Sequence, residues 1–578
     1  MTLGLFIWGR WRYDVVALLA LLAVVAGGVV PAARAFEGFG HPAVITVAAV
    51  LVISRALQNS GMIGWITRWL EGIDAGPSVQ VAAVGGLVAV LSGFMNNVGA
   101  LALLLPVVIQ TAKKSGRAPG ELLMPLAFGS LLGGLTTMVG TPPNIIIASF
   151  RADAAGAPFG MFDFTPVGLV IAVLGIAFIS LYGWRLIPIR DAKGDASDMF
   201  DIEAYMTEVL VPRKSGLSGT TLAELMAHAG DGDVAVVAVI RGSKKLTRPK
   251  PAQPVRINDH LLLEGSAEAI EAVLQGTPLT LVGNRDLDRA ELEGIDNGVV
   301  EAVVTPGSRL IRRSIAQAQL VRRHGLHLLA LARQGRPVRE HLRKIRVRAG
   351  DVLLLQGDLD AMPDRLAALG CLPLAGRDLV LHREPTPVPL IIFAVAIGLG
   401  VSGLLSLPVA FTAAVIALVL SGQMRARELY QGVDWPVVVL LGAMVPVGLA
   451  MEMSGANGLL AGGVAVLAGY LPPWGIVALV LVAAMFLSDI MNNAATAILM
   501  AQLSLQVAER LEVSADPLLM AVAVGASCAF LTPIGHQSNI LVMGPGGYRF
   551  GDYWRLGLPL EALIVVIAVP MILLVWPL

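Results

Sequence analysis

Two apolar segments of this 578-residue chain carry the same interruption. Leu487–Asn493 reads LSDIMNN and Leu91–Asn97 reads LSGFMNN, so each places two adjacent asparagines in a stretch apolar enough to enter a bilayer. Carboxamides and broken backbone are unfavourable in hydrocarbon unless they line a cavity or hold a ligand. If only one asparagine pair were present, ordinary polar packing between helices would explain it as well as a ligand site does. Because the pairs lie 396 residues apart (492 − 96), the sequence predicts a duplicated transport site.

Composition places this site in an α-helical polytopic membrane protein. Hydrophobic residues make up 56% of the chain and charged residues 15%, which is typical of a multi-pass plasma-membrane (bacterial inner-membrane) protein. The zero net charge argues against a nucleic-acid partner. The sequence shows no nucleophile–base pair, metal cluster or phosphate loop, so we expect neither an enzyme nor a bound cofactor. Cys371 and Cys528 are too far apart for a disulfide framework and are expected to be free.

The apolar spans form two groups that flank a charged insert. Residues 1–190 are predicted to form membrane repeat 1, with a re-entrant hairpin at 79–112 and a broken helix at 121–150. Residues 386–578 are predicted to form membrane repeat 2, with a hairpin at 473–509 and a broken helix at 517–545. Glu452 and Glu561 are expected near span ends. Between the repeats, short strands separated by Gly and Pro turns predict two tandem α+β units, at 200–280 and 295–375.

The duplication extends beyond the asparagine pairs. Gly140 and Asn144 lie opposite Gly535 and Asn539 at an offset of 395 (535 − 140). If each Asn segment is a hairpin, the basic clusters at the span ends all fall on the cytoplasmic side, as the positive-inside rule requires. The second repeat is then inverted, residues 190–385 are cytoplasmic and the C-terminus lies outside. Inverted repeats with broken helices at matching positions indicate a secondary transporter with its site near the membrane midplane.

These motifs resemble a known family. MNN…GTPPN in the first half and SDIMNNAAT…TPIGHQSN in the second are similar to the divalent anion:sodium symporter family of the ion transporter superfamily. The insert resembles two regulator-of-K+-conductance C-terminal (TrkA-C) domains, marked by Asn258-Asp259-His260 and Gly350-Asp351-Val352. The resemblance covers nearly the whole chain. It implies a homodimer of two-domain protomers in which a transport domain moves as an elevator, and an insert able to bind a small regulatory ligand.

The resemblance also implies the site residues. The Na+ ligands would be Ser92, Asn96, Asn97 and Gly140 in the first half, and Ser488, Asn492, Asn493 and Gly535 in the second. The anion would be bound by Asn97, Thr141, Asn144, Asn493, His536 and Asn539. Carboxamides and unwound carbonyls are hard oxygen ligands for a cation, whereas helix N-termini attract an anion.

Departures from the family pattern bear on the cargo. Val98 and Ala494 replace hydroxyl residues of the family's hairpin tips. Their loss argues against a dicarboxylate as the substrate and favours a small inorganic oxyanion such as sulfate. The leading interpretation is therefore a Na+-coupled anion symporter. A dicarboxylate symporter remains open. Asp489 and His536 lie at membrane depth and would support a proton-coupled antiporter or exporter instead. A sensor or channel gated by the insert is a further alternative, although the chain has no TVGYG-like filter.

Overall fold

The computed structural model describes residues 11–60, 76–188, 206–283, 297–374, 386–453 and 471–578, with further short gaps inside the insert. The predicted insert boundaries near 190, 200, 295, 375 and 385 lie outside the described residues. The chain divides into two compact units. The membrane unit comprises Met1–Ile189, Leu381–Val542 and Arg549–Leu578, and the insert unit comprises Arg190–Val380 and Met543–Tyr548.

The first half of the membrane unit contains seven α-helices among its described residues. They are α1 (Tyr13–Ala26), α2 (Pro42–Asn59), α3 (Pro77–Ser92), α4 (Asn97–Lys114), α5 (Gly120–Gly134), α6 (Pro142–Ala155) and α7 (Thr165–Leu181). Short 3-10 turns occupy Ala32–Arg34, Glu37–Gly40 and Gly183–Leu186. The asparagine pair lies at the start of α4, which begins at Asn97, and the Gly140–Asn144 motif separates α5 from the body of α6. Each polar motif therefore coincides with an interruption of helix.

The second half repeats this arrangement. Its helices, numbered after two in the insert, are α10 (Val388–Val401), α11 (Leu407–Leu420), α12 (Ala426–Gly432), α13 (Trp435–Met453), α14 (Pro473–Ile490), α15 (Asn493–Leu511), α16 (Asp516–Ser527), α17 (Gln537–Met543) and α18 (Tyr553–Val575). A 3-10 turn at Phe550–Asp552 precedes α18. The pair α14 and α15 matches α3 and α4, while α16 and α17 match α5 and α6.

Helix length follows from these interruptions. In the described part of the chain, three helical stretches are long and apolar enough to cross a membrane, namely Ala32–Asn59, Pro473–Ile490 and Phe550–Val575. Most other apolar helices have 10–17 residues. At 1.5 Å per residue, a 16-residue arm such as α3 rises about 24 Å, less than a bilayer core. In the first hairpin the arms are antiparallel, since Gln80 near the start of α3 donates to Ser115 beyond the end of α4 at 2.9 Å.

The insert unit contains two five-stranded antiparallel sheets with the same strand order. The first sheet has the order β3-β2-β4-β1-β5 and the second β10-β6-β9-β7-β8. The strands of the first are β1 (Met206–Leu210), β2 (Ala235–Arg241), β3 (Lys244–Thr247), β4 (His260–Glu264) and β5 (Thr280–Gly283). Those of the second are β6 (Asn297–Val304), β7 (His327–Arg333), β8 (Arg336–Pro337), β9 (Val352–Asp358) and β10 (Cys371–Pro373), with helices α8 (Ile315–Ala318) and α9 (Met362–Leu369). Because β1 to β5 map onto β6 to β10 in order, the insert is an internal duplication.

A buried ion pair recurs at the same place in both sheets. Arg241 binds the Asp259 carboxylate through two nitrogens at 2.8 and 2.7 Å, and Arg333 binds Asp351 at 2.7 and 2.8 Å. Each aspartate side chain is 1% exposed and also accepts a backbone N–H three residues upstream at 2.8 Å. Asp259 and Asp351 belong to the motifs that suggested the tandem units. The pair ties a strand end to the turn before the central strand.

Replacing Arg333 with methionine is expected to destabilise the second sheet by about 3 kcal/mol, because the Asp351 carboxylate would remain buried without its partner. Hydrogen exchange of the full-length protein should then speed up across 297–374. The double variant Arg333→Met/Asp351→Asn should recover part of the loss. Arg309→Met, at an exposed arginine of the same unit, is the control. Equal exchange in Arg333→Met and Arg309→Met would contradict a structural role for the pair.

Both cysteines are free and buried, as expected. Cys371 lies at the start of β10, where burial raises the pKa of its thiol to about 12. A thiol with so high a pKa is a poor nucleophile at neutral pH.

Candidate functional site

Each hairpin turn is closed by the same pair of side chains. The Ser92 hydroxyl hydrogen-bonds the Asn97 carboxamide at 2.6 Å, and the Ser488 hydroxyl bonds the Asn493 carboxamide at 2.8 Å. All four residues are buried. Since both bonds join residues five apart in helices that break at the tip, the two halves build the same polar turn from the same residues.

The first asparagine of each pair caps the helix that follows. The Oδ1 of Asn96 accepts from the Val98 amide at 3.0 Å, and the Oδ1 of Asn492 accepts from the Ala494 amide at 2.9 Å. This is the usual role of asparagine at a helix N-terminus. An amide oxygen keeps a second lone pair, so the cap leaves room for a cation. The backbone N–H of Asn96 also donates to the Ser54 hydroxyl of α2 at 3.3 Å.

A third asparagine braces each broken helix. The Nδ2 of Asn144 donates to two backbone carbonyls across the break, at 2.8 and 3.3 Å. The Nδ2 of Asn539 makes the same two bonds in the second half, at 2.9 and 3.2 Å. With the nitrogens held in this way, the Oδ1 atoms of both residues are buried and accept no hydrogen bond from the described residues. A buried oxygen without a donor is unfavourable by about 1–3 kcal/mol, and a hard cation would satisfy it.

Glycines bring each break against its hairpin tip. A Cβ on Gly140 would lie 2.6 Å from a carbonyl oxygen at the end of α5 and 3.0 Å from the Ser92 carbonyl oxygen. A Cβ on Gly535 would lie 3.1 Å from the Ser488 carbonyl oxygen. Neither position has room for a side chain. The predicted ligands Ser92 and Gly140 are thus neighbours, as are Ser488 and Gly535.

The two half-sites pack against each other. Helix α6 contacts α15 and α16, and the Ser130 hydroxyl of α5 lies 3.5 Å from the Ser538 hydroxyl of α17. With the Asn97 carboxamide oriented to donate, its nitrogen lies 3.2 Å from the Ser130 carbonyl oxygen. Away from the tips, Arg151 at the end of α6 binds Asp516 at the start of α16 through two bonds of 2.8 and 2.9 Å. The two halves therefore bring their predicted residues into one packed region.

Thr141 and His536 occupy matching positions before α6 and α17. The Thr141 hydroxyl is fully buried and has no hydrogen-bond partner in the described part of the chain. The Nδ1 of His536 accepts from the Ser538 amide at 3.1 Å, so the neutral ring carries its proton on Nε2. His536 therefore caps α17 and keeps one N–H donor, where Thr141 offers one O–H donor.

Glu561 was expected near a span end, and this is wrong. It lies within α18, is 8% exposed, and its Oε1 accepts from the Phe530 amide at 3.2 Å. Asp489 accepts from the next amide, that of Leu531, at 3.0 Å, and the two carboxyl groups meet as hydrogen-bond partners. A carboxylate inside a long apolar helix is itself a signal of function, and that signal could have identified Glu561 from the sequence. For Glu452, in α13, the side chain lies outside the described residues.

This arrangement can bind ions of both signs. Buried amide and carbonyl oxygens at each tip offer ligands for a hard cation. Helices α4, α6 and α15 begin at the same tips and breaks, and the positive end of a helix dipole attracts an anion. The two halves offer matching sets of such groups, packed together.

Sequence comparison identifies relatives over almost the full length. The uncharacterized transporter sll0640 of Synechocystis sp. is 29% identical, with 97% of this chain and 93% of the relative covered. The uncharacterized transporter YfbS of Escherichia coli is also 29% identical, with 100% of this chain and 98% of the relative covered. Sodium/sulfate cotransporter 2 of Chlamydomonas reinhardtii is 26% identical over 58% of this chain and 40% of its own length.

The prediction of a membrane transporter is confirmed by a family match. The profile that matches is described as citrate transporter and covers residues 3–525 and 473–578. Both this profile and the divalent anion:sodium symporter motifs indicate a transporter, but they indicate different transported anions. The chain is therefore an integral membrane protein that belongs to the citrate transporter family.

Proposed function

We propose that this protein is a Na+-coupled symporter for a small inorganic divalent oxyanion such as sulfate. The observation that carries the proposal is the pair of buried amide oxygens, Asn144 Oδ1 and Asn539 Oδ1, at mirrored positions beside the hairpin tips. Their nitrogens already donate to backbone carbonyls, so each buried oxygen still requires a hydrogen-bond donor or a cation. A cation meets that requirement.

Two Na+ ions would bind, one at each tip. The first would use the oxygens of Ser92, Asn96, Asn97 and Gly140, and the second those of Ser488, Asn492, Asn493 and Gly535. The close approach of each glycine to its serine supports this grouping. Asn144 and Asn539 would brace the breaks and complete the cation shells.

The anion would lie between the two cations, against hydrogen-bond donors from both halves. The Thr141 hydroxyl, the His536 Nε2–H and the buried Nδ2 of Asn493 are the side-chain donors, and the Asn493 nitrogen has no partner among the described residues. The tips carry Val98 and Ala494, which offer no side-chain donor. A compact oxyanion needs fewer and closer donors than a dicarboxylate. The name of the Chlamydomonas relative also favours sulfate and sodium.

The family resemblance extends the proposal to the whole assembly. It implies a homodimer whose transport domain moves as an elevator, with residues 190–385 in the cytoplasm and the C-terminus outside. The two sheets of the insert would be TrkA-C-like domains that bind a small regulatory ligand. The duplicated Arg–Asp pair supports an insert of two equivalent modules.

The test is uptake into proteoliposomes that contain the purified full-length protein. An inward Na+ gradient should drive accumulation of labelled sulfate, and collapsing the gradient with a Na+ ionophore should abolish it. Unlabelled sulfate should compete at lower concentration than citrate or succinate.

Two alternatives predict other results. A carboxylate symporter, which the family name favours, would take up citrate or succinate under the same gradient and ignore sulfate. A proton-coupled carrier, which the Asp489–Glu561 contact favours, would respond to a pH gradient and not to Na+. The first result would overturn sulfate as the transported anion, and the second would overturn Na+ as the coupling ion.

A further inference from the structure

The insert carries its positive charge in only one of its two sheets. The first module, residues 206–283, contains 8 Lys and Arg and 8 Asp and Glu. The second module, residues 297–374, contains 13 Lys and Arg but 6 Asp and Glu. Because the two sheets share one strand order, the fold itself does not require this difference. The excess charge of the second module therefore needs another explanation.

Arg312 occupies a backbone position that normally requires glycine. Its N–H donates to the Val347 carbonyl at 3.0 Å, and the Val347 N–H donates to the Arg313 carbonyl at 3.1 Å. Two residues thus oppose Val347, which is the pattern of a β-bulge. The φ of Arg312 is +64°, in the left-handed region where this type of bulge usually has glycine. A residue with a Cβ is strained in that conformation.

The first module builds the same bulge with glycine. The Gly219 N–H donates to the Val255 carbonyl at 3.0 Å, the Val255 N–H donates to the Thr220 carbonyl at 2.9 Å, and the φ of Gly219 is +94°. Glycine therefore serves this fold without strain, and the second module has an arginine in its place. Strain that the fold does not need indicates a functional demand on the side chain.

Four arginines surround the bulge of the second module. Arg312 and Arg313 lie on one side of the bulge, and Arg346 and Arg348 flank Val347 on the other. Val347 is 1% exposed and packs in the core of the module, so the two arginines that alternate with it point away from that core. All four arginines are exposed. We call these four residues the arginine surface.

The charge of the arginine surface is neither shared by the first module nor neutralised nearby. The corresponding residues of the first module are Gly219, Thr220, Pro254 and Arg256. Within the described part of the chain, Arg313, Arg346 and Arg348 form no ion pair, and the neighbouring Asp351 is buried against Arg333. Like charges within two residues of one bulge repel one another, and an anionic partner would remove that repulsion.

We propose that the arginine surface binds the anionic phosphate headgroups of the cytoplasmic membrane leaflet. The guanidinium group matches phosphate oxygens with two parallel hydrogen bonds. The insert is joined to membrane helices at both ends, since α7 ends at Leu181 and α10 begins at Val388, and this tether raises the effective concentration of the leaflet. Exposed arginines suit an extended surface, whereas a small soluble ligand is usually bound in a concave site. The inference rests on the proposed cytoplasmic placement of residues 190–385 and is independent of the transported anion.

Hydrogen exchange of the full-length protein in nanodiscs of two compositions tests the proposal. One nanodisc contains phosphatidylcholine alone, and in the other about one third of the lipid is phosphatidylglycerol. The amides of residues 312–317 and 345–351 should exchange more slowly in the anionic nanodisc. Raising NaCl to about 0.5 M should remove the difference, because salt screens the attraction between exposed charges.

Three variants locate the effect. Arg312→Gly removes one charge and installs the residue that the first module uses, so it should reduce the lipid-dependent slowing about fivefold with Tm unchanged or raised. Arg346→Gln/Arg348→Gln removes two charges and should reduce the slowing about 25-fold. Arg256→Gln, at the position in the first module that matches Arg348, is the control and should keep the wild-type slowing.

The outcomes separate lipid binding from its alternatives. Equal exchange in the two nanodiscs would overturn the proposal, and so would a slowing that Arg312→Gly and the double variant both retain. Slowing by inorganic tripolyphosphate in phosphatidylcholine nanodiscs, with no effect of phosphatidylglycerol, would assign the surface to a soluble anion and also overturn it. Because these measurements need neither a Na+ gradient nor sulfate, their failure would leave the proposed symporter intact, and a failure of sulfate uptake would leave the lipid contact intact.

Discussion

Replacing Asn493 with alanine is expected to lower anion uptake by at least about a hundredfold while the membrane unit stays folded. The substitution removes the partner of the Ser488 hydroxyl and a buried Nδ2 donor that the anion would use. The lost hydrogen bond to the anion is worth about 1.5–3 kcal/mol and the lost bond to Ser488 about 1 kcal/mol, so the two together account for a hundredfold. Asn97→Ala should have a similar effect, because it occupies the same position in the first tip.

Uptake of labelled sulfate under an inward Na+ gradient measures this effect, and Tm with size-exclusion elution reports whether the variant is folded. Ser504→Ala, at a buried residue of the same helix, should transport at the wild-type rate. Normal uptake by Asn493→Ala would remove this residue from the site. Loss of uptake with a collapsed Tm would instead give Asn493 a structural role.

The repeated tips and breaks could be predicted from the sequence because they are local. Pro142 fixes the first turn of α6, and Asn492 supplies a cap for α15, so the helix starts follow from residue chemistry. The offsets of 395 and 396 then place the same motifs in the second half. Such signals need no knowledge of how distant helices pack.

The direction in which a side chain points could not be predicted in this way. Asn144 and Asn539 were expected to contact the anion, whereas their nitrogens bond carbonyls across the break. His536 was expected to bind substrate or move protons, and its Nδ1 caps α17. Each outcome depends on which backbone atoms a helix break exposes, and the motif does not specify them. The roles of these residues in transport stay proposals.

Contacts between distant segments were the least predictable. Glu561 reaches the Phe530 amide because α18 packs beside the break after α16, and nothing near Glu561 in the sequence indicates that packing. Thr496 and Ser527 gave no signal either, since helical hydroxyls are usually satisfied within their own helix. Only the three-dimensional structure shows that both hydroxyls lack a hydrogen-bond partner within the described part of the chain.

Replacing Gly140 with alanine is expected to abolish transport by distorting the first tip, a larger effect than one methyl group usually has. The new Cβ would lie 2.6 Å from a backbone oxygen of α5 and 3.0 Å from the Ser92 carbonyl oxygen. Backbone atoms cannot rotate away as a flexible side chain can, so α6 or the tip must shift. Overpacking of this kind costs about 1–3 kcal/mol of stability, and a shift of a few tenths of an ångström at a cation site disturbs every ligand.

Gly86→Ala provides the matched control, because a Cβ there would meet no atom within 4 Å and the residue lies in α3 of the same hairpin. It should transport normally and be slightly more stable, since an alanine inside a helix is more favourable than a glycine by about 1 kcal/mol. Gly535→Ala should reproduce the Gly140→Ala defect in the second half, where the new Cβ would lie 3.1 Å from the Ser488 carbonyl oxygen.

If Gly140→Ala bound Na+ and sulfate with wild-type affinity, the close contact between the break and the tip would have no part in the site. If Gly140→Ala alone failed and Gly535→Ala transported normally, the two halves would not be functionally equivalent, and the second tip would tolerate a displacement that the first does not.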